Sequence, residues 1–277
     1  MIIGAILVVG TCRVSTAIIK RFEHELLSIN EGLEKAVRQR TKSLMKTRDA
    51  VIVGLAKLAE SRDSDTGEHL ERINLYSTKL AQAHAGQRRL DDPVVVESIG
   101  LASSLHDIGK VGVPDRVLLK AGKLDAEERS EIEKHPQVGE QCINEIETRL
   151  GEDGFLSLAR DICAHHHERW DGTGYPYGIS GERIPIAARL VAVADVYDAL
   201  RSRRPYKEPL SHSAACKIIV DGMGTHFDPS VIQTFVEIHH EFEAISEQYL
   251  KPEMPVSSPL LNHTPALGSA LAVPSID

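Results

Sequence analysis

Aromatic residues make up only 4% of the 277-residue chain. A core with so few large rings has to be built mostly of Leu, Ile, Val and Ala, which favours helices. Sustained period-two alternation is also missing, so strand signals are weak and the fold class is read as all-α. The four cysteines, Cys12, Cys142, Cys163 and Cys216, show no C-x-x-C spacing. That argues against a thiolate zinc site and for a reducing, cytosolic compartment. There is no surplus of positive charge: the formal net charge of -8 excludes a general binder of nucleic-acid polymers, while leaving room for a local basic pocket. No small-residue cleavage site follows the apolar start, so it does not read as a signal peptide. What is present is ordinary for a globular protein, 42% hydrophobic and 26% charged, with room for one large or two small domains.

Residues 2–9 are wholly apolar, and a short run at 17–19 follows after Arg13. A membrane span needs about 20 mostly apolar residues, and the one window that supplies them contains Arg13. Lys20 and Arg21 would then mark the cytoplasmic end. Three readings stay open for residues 1–20: an inner-membrane anchor for a cytoplasmic catalytic domain, a helix docking on another subunit, or the end of an upstream domain. Residues 21–50 contain no proline and one glycine, Gly32. A heptad frame puts Asn30, Val37, Leu44 and Val51 at one seam position and Leu26, Leu33, Arg40 and Thr47 at the other. The segment is a linker helix or a parallel coiled coil, the latter implying a homodimer through residues 21–51. From 51 to 250 successive helices with short loops form the main domain. The Pro- and Ser-containing stretch 251–277 reads as a disordered tail.

The chemistry concentrates around Leu101-Ala-Ser-Ser-Leu-His106-Asp107-Ile-Gly-Lys110. A His-Asp dipeptide is ordinarily a hydrogen-bonded pair, but one buried in an apolar stretch needs compensation. Further groups accumulate: Asp65 and His69 four apart, His135 before Pro136, His165-His166-His167-Glu168, and Asp195. Residues four apart share a helical face, as ligands of one ion must. Adjacent helical residues diverge by about 100°, so paired neighbours can serve different ions. Nitrogen and oxygen donors without thiolate fit iron or manganese at least as well as zinc. Two ions about 3.5–4 Å apart stabilise both oxygens of an in-line displacement at phosphorus, so the reaction class is metal-assisted phosphoester hydrolysis. Lys110, about one turn beyond, is placed to meet a phosphate oxygen. The loop 170–181, with four glycines and Pro176, is tight and should frame the mouth of the site. Arg204 and Lys207 add basic charge after Asp195, as a phosphate-binding rim would.

Four blocks together carry a family resemblance: His106-Asp107-Ile-Gly-Lys110; His135-Pro136 with Gly139; His166-His167-Glu168 leading to Gly174-Tyr175-Pro176; and Asp195-Val-Tyr-Asp198 leading to Arg204-Pro-Tyr-Lys207. Over about residues 51–247 the chain resembles the HD-GYP phosphodiesterases of the HD phosphohydrolase superfamily, helical-bundle enzymes that cleave cyclic di-GMP. The resemblance implies His69, His106, Asp107, His135, His166, His167 and Asp195 as metal ligands, with Asp107 bridging. Trinuclear members carry Glu four residues before the first of these histidines; here that position is Asp65, so two or three divalent ions, iron or manganese, remain open. It further implies Lys110 with Asp107 in catalysis, and Lys110, Tyr175, Asp198, Arg204 and Lys207 as substrate contacts. The product would be pGpG, with further hydrolysis to GMP left open. The alternatives are another cyclic dinucleotide, or a signalling module that binds a dinucleotide or partner without turnover. His165 falls outside the motif register. His24, His84, His212, His226, His239, His240 and His263 fall in no block and read as ordinary surface or core residues.

Overall fold

The computed structural model describes residues 2–62, 68–87, 90, 92–203 and 208–250, the side chains of 2–19 and of Leu250 excepted. Among the described residues there is no β-strand, only a single bridge between Met223 and Phe227. The all-α expectation is met. The helices are α1 (Ile2–Glu60), α2 (Glu68–Gly86), α3 (Pro93–Ser103), α4 (Asp115–Leu118), α5 (Ala126–Ile132), α6 (His135–Leu150), α7 (Gly154–His165), α8 (Ile186–Arg201), α9 (His212–Asp221) and α10 (Pro229–Leu250). A 3-10 turn, Ile108–Gly112, joins α3 to α4.

Local chemistry sets these limits. Asp92 accepts a hydrogen bond from the Val94 amide, and Pro93 supplies the preset φ that opens α3. Asp125 and Glu128 form a capping box on α5. Asp153 caps α7 and Ser211 caps α9 in the same way. The core runs through α2, α3, α7, α8 and α10, and includes Ile73, Leu80, Ile99, Ile162, Leu190, Val193 and Ile232. Four of its aromatics, Tyr76, Tyr197, Phe235 and Phe242, form one cluster. Tyr76 stacks on Phe242 with centroids 4.7 Å apart, and Tyr197 meets Tyr76 edge-on at 5.2 Å. They pin α2, α8 and α10 together.

α1 is one uninterrupted helix of 59 residues, about 90 Å long at 1.5 Å per residue. It therefore runs across the limits expected near residues 20 and 50. Leu26, Leu33, Val37, Leu44 and Val51, the apolar members of the heptad frame, are all exposed. No helix is long and apolar enough to cross a membrane among the described residues; the anchor reading concerns residues 2–19, whose side chains lie outside them. Just beyond its end α1 is fastened to the domain by Arg62. That guanidinium donates to the carbonyls of Val111 (2.7 Å) and Val113 (3.1 Å) and to the Asp115 carboxylate (2.5 Å). The tail 251–277, Asp65, Arg204 and Lys207 lie outside the described residues.

Candidate metal centre

The fold brings helix ends to one point. Glu60 is the last residue of α1 and His69 the second of α2. His106 and Asp107 follow α3, His135 opens α6, and His166 and His167 follow α7. Helix ends suit this task, because carbonyls there have acceptor capacity to spare for imidazoles, even where, as at Ser103 and Ile162, they also take a backbone amide.

Each buried histidine uses Nδ1 on a group that accepts. His106 Nδ1 lies 2.8 Å from the Ser103 carbonyl, and His135 Nδ1 lies 2.7 Å from that of Ile132. His166 Nδ1 lies 3.1 Å from the carbonyls of both Ile162 and Cys163. A carbonyl cannot donate, so Nδ1 carries a proton and Nε2 is the ring atom turned inward. This is the arrangement by which a metal-ligating imidazole is oriented. His69 follows the same rule with a carboxylate, its Nδ1 lying 2.7 Å from Asp198 Oδ2.

The inward atoms meet at Asp107. Its Oδ1 is 3.0 Å from His135 Nε2 and 3.6 Å from His166 Nε2; its Oδ2 is 3.1 Å from His106 Nε2 and 2.8 Å from Lys110 Nζ. Yet Asp107 Oδ1 and His106 Nε2 are buried without a hydrogen bond of proper geometry. Two orphaned polar atoms amid converging lone pairs are what a cation would satisfy. Two donor groups result: Asp107 with His135, His166 and His167, and Glu60 with His69 and His106. The donor set fits divalent ions.

In the metal-free site burial opposes charge on His106, but Asp107, Asp195 and Glu60 outweigh it and push it up to about 10, so Nε2 carries a proton facing Asp107 that a bound cation would have to displace. Burial likewise opposes the Asp107 carboxylate, yet Lys110 and His106 hold it well below the usual range. Burial pushes His166 and His167 down, the latter also through the neighbouring imidazoles, so both are neutral and able to ligate.

Glu60 was not singled out by the sequence. It is 5% exposed, with Oε1 at 3.9 Å from His69 Nε2 and Oε2 buried without a partner. Burial raises its pKa from 4.5 to about 7 against the pull of His106 and His69. The folded state therefore holds this proton more tightly than the unfolded chain, and stability is lost as pH rises from about 4.5 to 7. Glu60→Gln should stabilise the metal-free protein, with a gain that grows over that window and levels off near about 3 kcal/mol above it. Denaturant titrations of chelated protein at pH 5 and pH 8 check this; equal gains at both would refute it.

Asp198 was expected as a substrate contact, but the structure places it elsewhere. It is 1% exposed, and its oxygens serve His69 Nδ1, Arg72 Nε (2.6 Å) and Ser202. It stands one turn beyond Asp195 on α8, and faces α2 rather than open space. Asp195 itself is half-buried; its charge reaches His106, His69 and Tyr175, but it joins neither donor group at ligating distance. Tyr175 stacks on His167 with centroids 4.7 Å apart. The loop carrying it is tied down by Glu168, whose Oε1 accepts from the Tyr177 amide at 2.7 Å. His165 turns away and lies against Tyr177, centroids 5.6 Å apart.

Imidazoles of fixed tautomer arranged round one buried carboxylate at the ends of packed helices define a histidine–aspartate metal-centre domain. The chain belongs to the HD domain family, whose model matches residues 54–231. It is 47% identical over 206 residues to a cyclic di-GMP phosphodiesterase of Vibrio cholerae, covering 73% of this chain and 42% of that protein. A probable cyclic di-GMP phosphodiesterase of the same organism is 44% identical over 238 residues, 84% of this chain and 54% of that one. A 3'3'-cGAMP-specific phosphodiesterase 2, also from Vibrio cholerae, is 38% identical over 202 residues, with 73% and 37% covered. The chain thus spans about half the length, or less, of these relatives.

Proposed function

We propose that the protein is a metal-dependent phosphodiesterase that hydrolyses cyclic di-GMP to pGpG. The observation that carries this is the pair of orphaned atoms, Asp107 Oδ1 and His106 Nε2, inside a converging imidazole set; the 47% identical relative supplies the substrate. Divalent ions held there, iron or manganese on the donor chemistry, supply Lewis-acid stabilisation of phosphoryl oxygens and acidify water. Asp107 with His135, His166 and His167 would hold one ion, and Glu60, His69 and His106 a second. Asp65 would decide a third, and Asp195 would enter by a side-chain rotation. Asp198 and Arg72 act as positioning residues for His69.

Lys110 stands 2.8 Å from Asp107, where it can turn to a phosphate oxygen without leaving the site. Burial pushes the Tyr175 hydroxyl well above its usual range, so it stays protonated and serves as a donor to the substrate. Arg204 and Lys207 would complete the phosphate rim. A second reading, hydrolysis of a cyclic GMP-AMP dinucleotide, rests on the 38% identical relative. Turnover of both dinucleotides by protein loaded with Mn²⁺ or Fe²⁺ separates the two. Loss of both activities in His106→Ala is expected, and a variant that retained them would overturn the metal mechanism.

The exposed seam of α1 supports a homodimer. Leu26, Leu33 and Leu44 are each more than half exposed, and Val37 and Val51 prolong the same frame. Wild-type protein should show twice the mass of Leu33→Asp/Leu44→Asp by light scattering. A monomeric wild type would sink the dimer.

A further inference from the structure

Outside the HD centre a second group of donors comes together between α9 and α10. His212 and Cys216 stand four apart on α9, and His239 and Glu243 stand four apart on α10. Each pair therefore occupies one helical face. His212 Nε2 lies 2.9 Å from His239 Nδ1, 3.4 Å from Cys216 Sγ and 3.9 Å from Glu243 Oε2. Two ligands at about 2.0–2.3 Å from a tetrahedral ion stand about 3.3–3.7 Å apart, and these separations bracket that spacing. The donor atoms of His212, Cys216 and His239 all lie within 4.8 Å of one another.

A second observation is independent of that proximity. His212 Nδ1 lies 2.8 Å from the hydroxyl of Tyr197, whose ring is fully buried in the aromatic core. That contact orients the imidazole and leaves Nε2 directed at His239, as the outer hydrogen bond of a metal-bound histidine does, while Cys216 Sγ lies beside the ring, 3.4 Å from Nε2 and 3.6 Å from Nδ1. The cluster is half-buried, so an ion could both enter and be held.

We propose that His212, Cys216 and His239 form a zinc site that clips α9 to α10, with Glu243 able to turn in as the fourth ligand, separate from the HD centre and sharing no ligand with it. Imidazole and thiolate donors in tetrahedral array favour Zn²⁺ over the harder ions suited to an all-nitrogen-and-oxygen site. The absence of a C-x-x-C pair hid it: one cysteine suffices when the other donors come from a second helix. Through Tyr197 the clip bears on α8, two residues after Asp195 and one before Asp198, on the helix that carries both carboxylates.

The test uses the full chain, expressed with zinc supplied and analysed for metal content, beside Cys216→Ser and His239→Ala. Wild-type protein should hold one zinc equivalent more than either variant. After exchange with Co²⁺ it should show a near-ultraviolet thiolate-to-cobalt charge-transfer band that both variants lack, since neither donor group of the HD centre contains a cysteine. Equal metal content together with no such band overturns the proposal, leaving a hydrogen-bonded Tyr197–His212–His239 chain. Should the variants fail to fold, alkylation of wild-type Cys216 decides the matter. Zinc-loaded protein should be modified slowly and chelated protein rapidly, and identical rates would overturn it.

Discussion

Asp107→Ala should lower turnover of cyclic di-GMP by at least about 10³-fold and strip the protein of bound metal. Removal of one pre-organised electrostatic group from an active site typically costs about 10²–10³-fold. Asp107 does more than one such group, because its two oxygens face His135 and His166 on one side and His106 and Lys110 on the other. Without it the histidines lose the negative charge that makes a shared cation favourable, and Lys110 loses the partner that aims it. Asp107→Asn is the more informative companion: it keeps the volume but supplies an amide nitrogen where a lone pair is required. Steady-state rates and metal content, measured together on both variants, check this. A variant within tenfold of wild type would mean that hydrolysis does not pass through this carboxylate.

The second large effect is expected at Gly109, where the limit is space. A Cβ on this residue would lie 1.9 Å from the His135 carbonyl oxygen and 2.5 Å from the Gly139 amide nitrogen, both backbone atoms of α6 that no rotamer change can move. The turn 108–112 and the start of α6 therefore touch backbone to backbone, which is how Asp107 and Lys110 come to sit against His135. Gly109→Ala must push that turn away from α6, and a loss of more than about 4 kcal/mol is expected for so hard a clash. In a domain of this size that is about 8–16 °C in Tm. Thermal unfolding of chelated protein isolates this from any loss of metal binding. A shift under about 3 °C would show that the turn can yield.

Much of the site was legible because its residues come in adjacent or near-adjacent groups. His106-Asp107, His166-His167 and the glycine-rich loop after them announce themselves in the chain, and the structure brings all four side chains together. Periodicity gave the helices, since with so few aromatics and no alternation there was little to compete with a 3.6-residue repeat. What was not legible depends on packing between distant segments. Glu60 reads as one more charge near the end of an amphipathic helix, and only the return of α2 against α1 brings His69 to it. Asp198 is a substrate contact only by the family resemblance, and in the fold it turns toward Arg72 and His69. His212 and His239 belong to separate helices and carry no signal until α9 and α10 are laid side by side.

One feature of α1 bears on how the centre could be governed. The last residue of a 59-residue helix is itself a donor in the site, and Arg62 fastens the chain just after it to the turn that carries Lys110. No hinge separates the exposed length of the helix from Glu60. Continuous backbone hydrogen bonds therefore link displacement of the exposed helix to the position of the carboxylate. An axial slip of a single residue is about 1.5 Å, enough to change whether Glu60 reaches an ion beside His69. The long helix thus ends as part of the wall of the metal centre, and its axial position and the position of Glu60 are one variable.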